Sequence, residues 1–197
     1  MQKQKLLLTL GMIACLFGLE PASAADVAAG KATAEGCAAC HGADGISQTA
    51  ETPSLAGEPD DYIQWQLVYF RRGARKNDLM ESVAKSLTNE EIRNLGAYYA
   101  SLPAPKPQPA PSSDALAQTG AKLAAQHRCA SCHGDDYAGV GPAARLSGQR
   151  EDVLLKALHE FKSGSRIGSG VASMADVTFG LSDSDMQALA HYMATRP

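Results

Sequence analysis

Cys37-Ala38-Ala39-Cys40-His41 and, ninety-two positions later, Cys129-Ala130-Ser131-Cys132-His133 decide how this chain is read. Both are C-x-x-C-H. Two thiols three positions apart lie on one face of a helical turn, where each can add to a vinyl group of a haem. The histidine that follows can then reach the iron from below. The spacing therefore predicts two covalently bound haem c groups, held by Cys37, Cys40, Cys129 and Cys132, with His41 and His133 as proximal ligands. Three other chemistries use such cysteines: a four-thiolate zinc site, disulfides, or a redox-active pair. The two pairs stand 89 residues apart, beyond the usual zinc-ribbon spacing, and each carries an added histidine. Duplication of the whole motif favours haem.

The repeat extends well beyond the motif. Leu55 and Gly57 recur 91 positions on as Leu146 and Gly148, and Ile63, Leu67 and Phe70 recur as Leu154, Leu158 and Phe161. Gly73 and Arg75 become Gly164 and Arg166. Met80, Val83, Leu87, Leu95 and Tyr98 recur 94 positions on as Met174, Val177, Leu181, Leu189 and Tyr192. So little drift over so many matches indicates a duplicated module. Between the halves lies Pro103-Ala104-Pro105-Lys106-Pro107-Gln108-Pro109-Ala110-Pro111, which cannot continue a helix and favours an extended segment. Residues 103–111 are thus expected to link a first domain, 25–102, to a second, 112–197.

Each half reads as helical. A first helix starts near Asp26 or Asp114 and runs into the motif, and the i, i+4, i+7 triplets mark an amphipathic middle helix. Thr88-x-x-Glu91 is a capping box opening a last helix through Ile92 and Leu95, and Ser182-x-x-Asp185 is its counterpart. No strand-length alternation stands out, so the fold class is all-α. Ahead of the first half, Lys3 and Lys5 precede an apolar stretch from Leu6 to Leu19 and the small residues Ala22-Ser23-Ala24. That is the pattern of a secretory signal peptide over residues 1–24, cleaved near Ala24 and too short for a comfortable membrane span. Cys15 lacks a good lipobox. The expected compartment is the periplasm, where the remaining cysteines meet oxidising conditions.

Any Met, His or Lys can serve as a sixth ligand. Met186 and Met193 align with the apolar positions Ile92 and Tyr99 of the last helix and read as core. Met80 and Met174 align with each other, 39 and 41 residues after their histidines, and are expected in loops before the last helix. They are the predicted axial thioethers, raising the potential relative to bis-histidine ligation. His127, His159 and His191 read as structural or solvent-facing. Arg75 and Arg166 sit at matched positions and read either as partners of haem propionates or as solvated loop residues.

With these motifs and a capped last helix carrying an aromatic, each half resembles a class I cytochrome c. The tandem behind an export signal is similar to dihaem cytochromes of the c4 type, over nearly all of the mature chain. The resemblance implies that a proline carbonyl after the attachment site orients each proximal histidine. Pro53, twelve residues after His41, fits. In the second half the register position is Ala144, and the available proline is Pro142, two residues earlier. The glycine-rich run Gly164 to Gly170 lengthens the approach to Met174.

What the resemblance implies is electron carriage, not enzymatic catalysis: single electrons passing between redox proteins such as a quinol:cytochrome c reductase and a terminal oxidase, with peripheral association with membrane complexes. Two alternatives share the pattern. One is a dihaem subunit of a periplasmic dehydrogenase such as a flavocytochrome c sulfide dehydrogenase. The other is a haem enzyme of the peroxidase or thiosulfate-oxidising kind, which needs an exchangeable sixth ligand. Composition agrees with a folded carrier. The chain has 197 residues, 45% hydrophobic, and its 18 Lys/Arg against 21 Asp/Glu exclude the basic excess of a nucleic-acid binder. The first domain is the more acidic, at −4 against −1, which can orient the molecule on a partner.

Overall fold

The computed structural model describes residues 24–109, 114–166 and 171–196, so the signal-peptide reading lies, Ala24 apart, outside the described residues. In the first half α1 (Val27–Ala34) passes through a 3-10 turn, Glu35–Cys37, into α2 (Ala38–His41). Then come α3 (Asp60–Arg71), α4 (Asp78–Ser86) and α5 (Asn89–Ser101). The second half repeats the order as α6 (Ala115–Gln126), α7 (Ala130–His133), α8 (Glu151–Lys162), α9 (Val171–Phe179) and α10 (Asp183–Thr195). Among the described residues there is no strand, only two isolated bridges. The all-α expectation holds.

The helix starts follow from the capping residues. Asp26 accepts from the N–H groups of Ala28 and Ala29, and Asp114 from those of Leu116 and Ala117, satisfying donors that a first helical turn leaves open. Both capping boxes form. Glu91 N–H donates to Thr88 Oγ1 at 3.1 Å while Thr88 N–H donates to the Glu91 carboxylate at 2.8 Å. Ser182 and Asp185 do the same at 3.2 and 2.9 Å, so the second box is as complete as the first. One expectation is corrected. Met80 and Met174 are not in loops: Met80 lies in the first turn of α4, whose cap Asn77 accepts from Met80 N–H at 2.9 Å, and Met174 lies within α9.

In each half the first helix crosses the last, α1 on α5 and α6 on α10, while the middle helix packs on the last and on the one before it. The crossings are tight enough to require glycine. A Cβ on Gly30 would strike the carbonyl oxygen of Asn94, and one on Gly120 would strike that of Ala188. The cores follow the predicted faces: Ile63, Leu67, Ile92, Leu95, Tyr98 and Tyr99 in the first half, and Leu154, Leu181, Leu189, Met186 and Met193 in the second. The two methionines assigned to core are 0% and 4% exposed. Residues 103–109 carry no helix or strand, and their N-terminal part crosses both halves. Ala104 lies against Gly57, the Pro105 carbonyl lies against Gly148, and Gln108 N–H donates to the Ala194 carbonyl at 2.8 Å.

His191 has a structural role. Its Nδ1 faces Glu151 at 2.8 Å and its Nε2 faces Asp114 at 2.6 Å, so one imidazolium joins α10 to the starts of α8 and α6. The hydrogen bond to Glu151, then that to Asp114, holds its pKa above the ordinary histidine value. A raised cationic pKa means stability that is complete below about pH 6.5 and is lost as pH rises through the folded value. The thermal midpoint of the second domain is therefore expected to fall as pH rises from about 6 to about 9, by roughly 2–4 °C. A His191→Gln variant should flatten that dependence in a calorimetric pH series. Separately, Gly120→Ala is expected to cost about 1–3 kcal/mol through forced separation of α6 and α10, measured by denaturant unfolding.

Candidate haem sites

The two motifs close their helical turns in the same way. α2 ends on Gly42 and α7 on Gly134, at φ of 85° and 83°, so the chain leaves in a left-handed conformation directly after each histidine. A Cβ on Gly42 would collide with the Ile46 carbonyl. The chain then loops back under its own histidine. His41 Nδ1 donates to the Pro53 carbonyl at 2.8 Å, and His133 Nδ1 donates to the Ala144 carbonyl at 2.8 Å. His41 and His133 are buried, 7% and 9% exposed. Burial pushes both imidazoles below the ordinary histidine range, opposed by the carbonyl contact. A neutral ring whose Nδ1–H is committed presents Nε2 as its free lone pair, the form a metal ligand needs.

The Pro53 carbonyl makes the contact with His41 that the resemblance implies. Pro142 makes no such contact: the acceptor is Ala144, the register position. Pro142 sits in a turn in which Ala143 N–H donates to the Val140 carbonyl at 3.0 Å. The reason is that the bond is to a backbone oxygen, which every residue type offers, so register decides it rather than the presence of a proline ring.

None of the four motif cysteines forms a disulfide. Cys40 and Cys132 are exposed, while Cys37 and Cys129 are half-buried against the two cores. Burial pushes the Cys37 and Cys129 thiols up, the opposite of an activated redox thiolate. Among the described residues no three of His, Cys, Asp and Glu converge on a metal-binding point, so the pairs do not share a four-thiolate site. Met80 is half-buried and packs on the first core; Met174 is likewise half-buried.

Arg75 and Arg166 are not solvated loop residues. Their backbones pair as an isolated antiparallel bridge between the halves, and Arg166 is only 6% exposed. Each guanidinium stacks on the phenyl ring of its own middle helix, Arg75 over Phe70 and Arg166 over Phe161, both at 4.6 Å. Each donates to the same Gln66 Oε1 at 2.8 Å, and Arg166 also reaches Tyr62 Oη at 3.2 Å. Among the described residues neither has a carboxylate within ion-pair distance, and Arg166 Nε is buried without a partner. Loss of solvent, then the neighbouring Arg166, holds Arg75 down to about 10. A buried and a half-buried cation side by side, with an open donor on the buried one, fit an anionic group such as a haem carboxylate. Sequence reading missed the residues around them: Gln66, Glu58, Arg145 and Gln149. The signal was present in the 91-residue offset, which sets Glu58 opposite Gln149.

A family model described as cytochrome c matches this chain twice, over residues 27–103 and 117–197. The chain belongs to the cytochrome c family. It is 37% identical to a thiosulfate dehydrogenase electron acceptor of Thiomonas intermedia (strain K12), over 96% of this chain and 90% of that one. It is 33% identical to cytochrome c4 of Pseudomonas aeruginosa, over 95% of this chain and 94% of the relative. The crystal structure of reduced cytochrome c4 from Pseudomonas stutzeri superposes with a TM-score of 0.81 at 28% identity, covering 88% of this chain and all of that one. This cytochrome is thus a c4-type electron-transfer protein of two domains with two covalent haem c groups, and its cysteine pairs supply the attachment points.

Because register and not residue type supplies the second histidine's acceptor, Pro142→Ala is expected to leave the absorption spectrum and potential of the second haem unchanged. Reduced and oxidised spectra with a redox titration check this.

Proposed function

We propose that this cytochrome takes single electrons from a thiosulfate-oxidising dehydrogenase in the periplasm and hands them on towards a terminal oxidase. The likeness to the Thiomonas acceptor, which runs through both domains, carries this reading. A bound haem supplies the one-electron chemistry, and the chain sets its potential and its exposure. His41 and Met80 would hold the iron of the first domain, and His133 and Met174 that of the second. The buried, carbonyl-bound imidazoles support the histidine half of this assignment, and the matched positions of the methionines support the other. Thioether ligands favour the reduced state. With a histidine and a methionine both holding the iron, no site would be left open for a substrate, which favours a carrier over the peroxidase alternative.

Arg75 and Arg166 neutralise haem propionates at the seam between the domains. The adjacent pair without a carboxylate, and the open valence of the buried Arg166 Nε, support this. Residues 1–24 are an export signal cleaved near Ala24. Residues 103–111 link the domains 25–102 and 112–197, and contacts of Ala104, Pro105 and Gln108 with both halves support this. No helix among the described residues is long and apolar enough to cross a membrane.

Mixing the oxidised cytochrome with a purified thiosulfate dehydrogenase and thiosulfate in a stopped-flow device should reduce both haems within the turnover time of that enzyme. Reduction only by a quinol:cytochrome c reductase with quinol would sink the assignment of the donor. For the ligands, Met80→Ala and Met174→Ala should each remove about half of the weak far-red absorption of methionine-ligated ferric haem. An unchanged band in either variant would reject that methionine.

A further inference from the structure

Each carbonyl that holds a proximal histidine belongs to a peptide group whose own N–H is engaged from the other domain. In the first domain the Pro53 carbonyl accepts from His41 Nδ1. The N–H of that same peptide, on Ser54, donates across the seam to Gln149 Oε1 at 2.9 Å. Gln149 Nε2 then donates to the Ser54 carbonyl at 2.9 Å. In the second domain the Ala144 carbonyl accepts from His133 Nδ1, and the N–H of that peptide, on Arg145, donates across the seam to Glu58 Oε2 at 2.9 Å. Glu58 and Gln149 occupy the same register, 91 positions apart, each directly after a glycine with positive φ. They are 3% and 4% exposed.

We propose that Glu58 and Gln149 are reciprocal positioning residues, each reaching over the domain seam to polarise the peptide that holds the other domain's proximal histidine. The inference rests on His41 and His133 being the axial ligands. An acceptor on an amide N–H shifts electron density onto the oxygen of the same amide, and linked hydrogen bonds strengthen one another by about 10–30%. A stronger carbonyl acceptor draws the Nδ1 proton, makes the imidazole a better donor at Nε2, and favours the oxidised state.

The two ends of the device differ in chemistry. Gln149 is a neutral amide at every pH. Glu58 is a carboxyl that burial raises to about 8, against the N–H of Arg145 and the charges of Arg145 and Arg166 that face it. Gln149 Nε2 stands 3.5 Å from its other oxygen. Glu58 therefore holds a proton at neutral pH and loses it above about pH 8. Its anion accepts more strongly from Arg145 N–H, so the second domain's potential falls as pH rises, while the first domain's does not respond through this route. The acid belongs to the first domain and its effect to the second.

The test is a redox titration of the holoprotein from about pH 6 to about pH 10, with the two haems told apart by their paramagnetically shifted methyl resonances. In the unaltered protein the second haem's potential should step downward around pH 8. Glu58→Gln, nearly the same shape, should abolish that step and leave the first haem alone. Gln149→Glu should give the first haem a step of its own. In the reduced protein the His133 Nδ1–H resonance should move with pH, and should cease to move in Glu58→Gln, a readout that a packing role would not alter. A step that survives Glu58→Gln, a second haem without a step, or a response in the wrong haem each overturns the proposal. Two low-spin haems per chain in every variant show that ligation and folding are intact, so those outcomes reject the cross-domain effect alone. Spectra lacking histidine ligation in the unaltered protein would instead reject the axial assignment.

Discussion

A buried imidazole has two nitrogens, and in this cytochrome the geometry of each domain follows from how one of them is satisfied. His41 and His133 each give their Nδ1–H to a main-chain carbonyl at 2.8 Å. That bond fixes the ring plane, keeps the ring neutral in a desolvated place, and leaves Nε2 free. It also constrains the chain. A histidine at the end of a one-turn helix can reach a carbonyl 11 or 12 residues on only if the backbone reverses at once, which is why Gly42 and Gly134 take left-handed conformations. The first and last helices cross closely beside each motif, and Gly30 and Gly120 allow it.

The same carbonyls tie the domains together. Because the halves descend from one module, the surfaces they present to each other are copies, and the seam behaves like an isologous dimer contact within one chain. Ser54 meets Gln149 as Arg145 meets Glu58, and Arg75 pairs with Arg166 near the pseudo-two-fold. Divergence has broken the symmetry where it matters electrostatically: an acid faces one histidine-bearing peptide and an amide the other. Around this seam lie outer ties that have no copy, such as Glu51 with Lys156 at 2.7 Å, exposed and worth little to stability.

Much of the architecture was open to reading from residue order. The motif, the capping residues and the helical triplets depend on neighbours within a few positions, and each is found where the pattern puts it. The misreadings share a physical cause. Pro142 was the candidate acceptor because proline is conspicuous in a sequence, whereas a carbonyl oxygen carries no signature of its residue type. Met80 and Met174 were expected in loops, yet Asn77 caps a short helix around Met80 that buries only Ala84 fully. Arg75 and Arg166 could be matched to each other but not located, since burial at a seam depends on how two domains approach.

The chain's order by itself determined that there are two like helical modules, each with a thiol pair and a histidine at the end of one turn, because those features are short-range and chemically distinctive. Only the tertiary structure decided that Ala144 and not Pro142 holds the second histidine, that the paired arginines meet at the seam without a carboxylate, and that Glu58 and Gln149 each touch the other domain's histidine-bearing peptide. Those contacts join residues about 90 to 100 positions apart, or use main-chain atoms that every residue shares, so no local pattern encodes them.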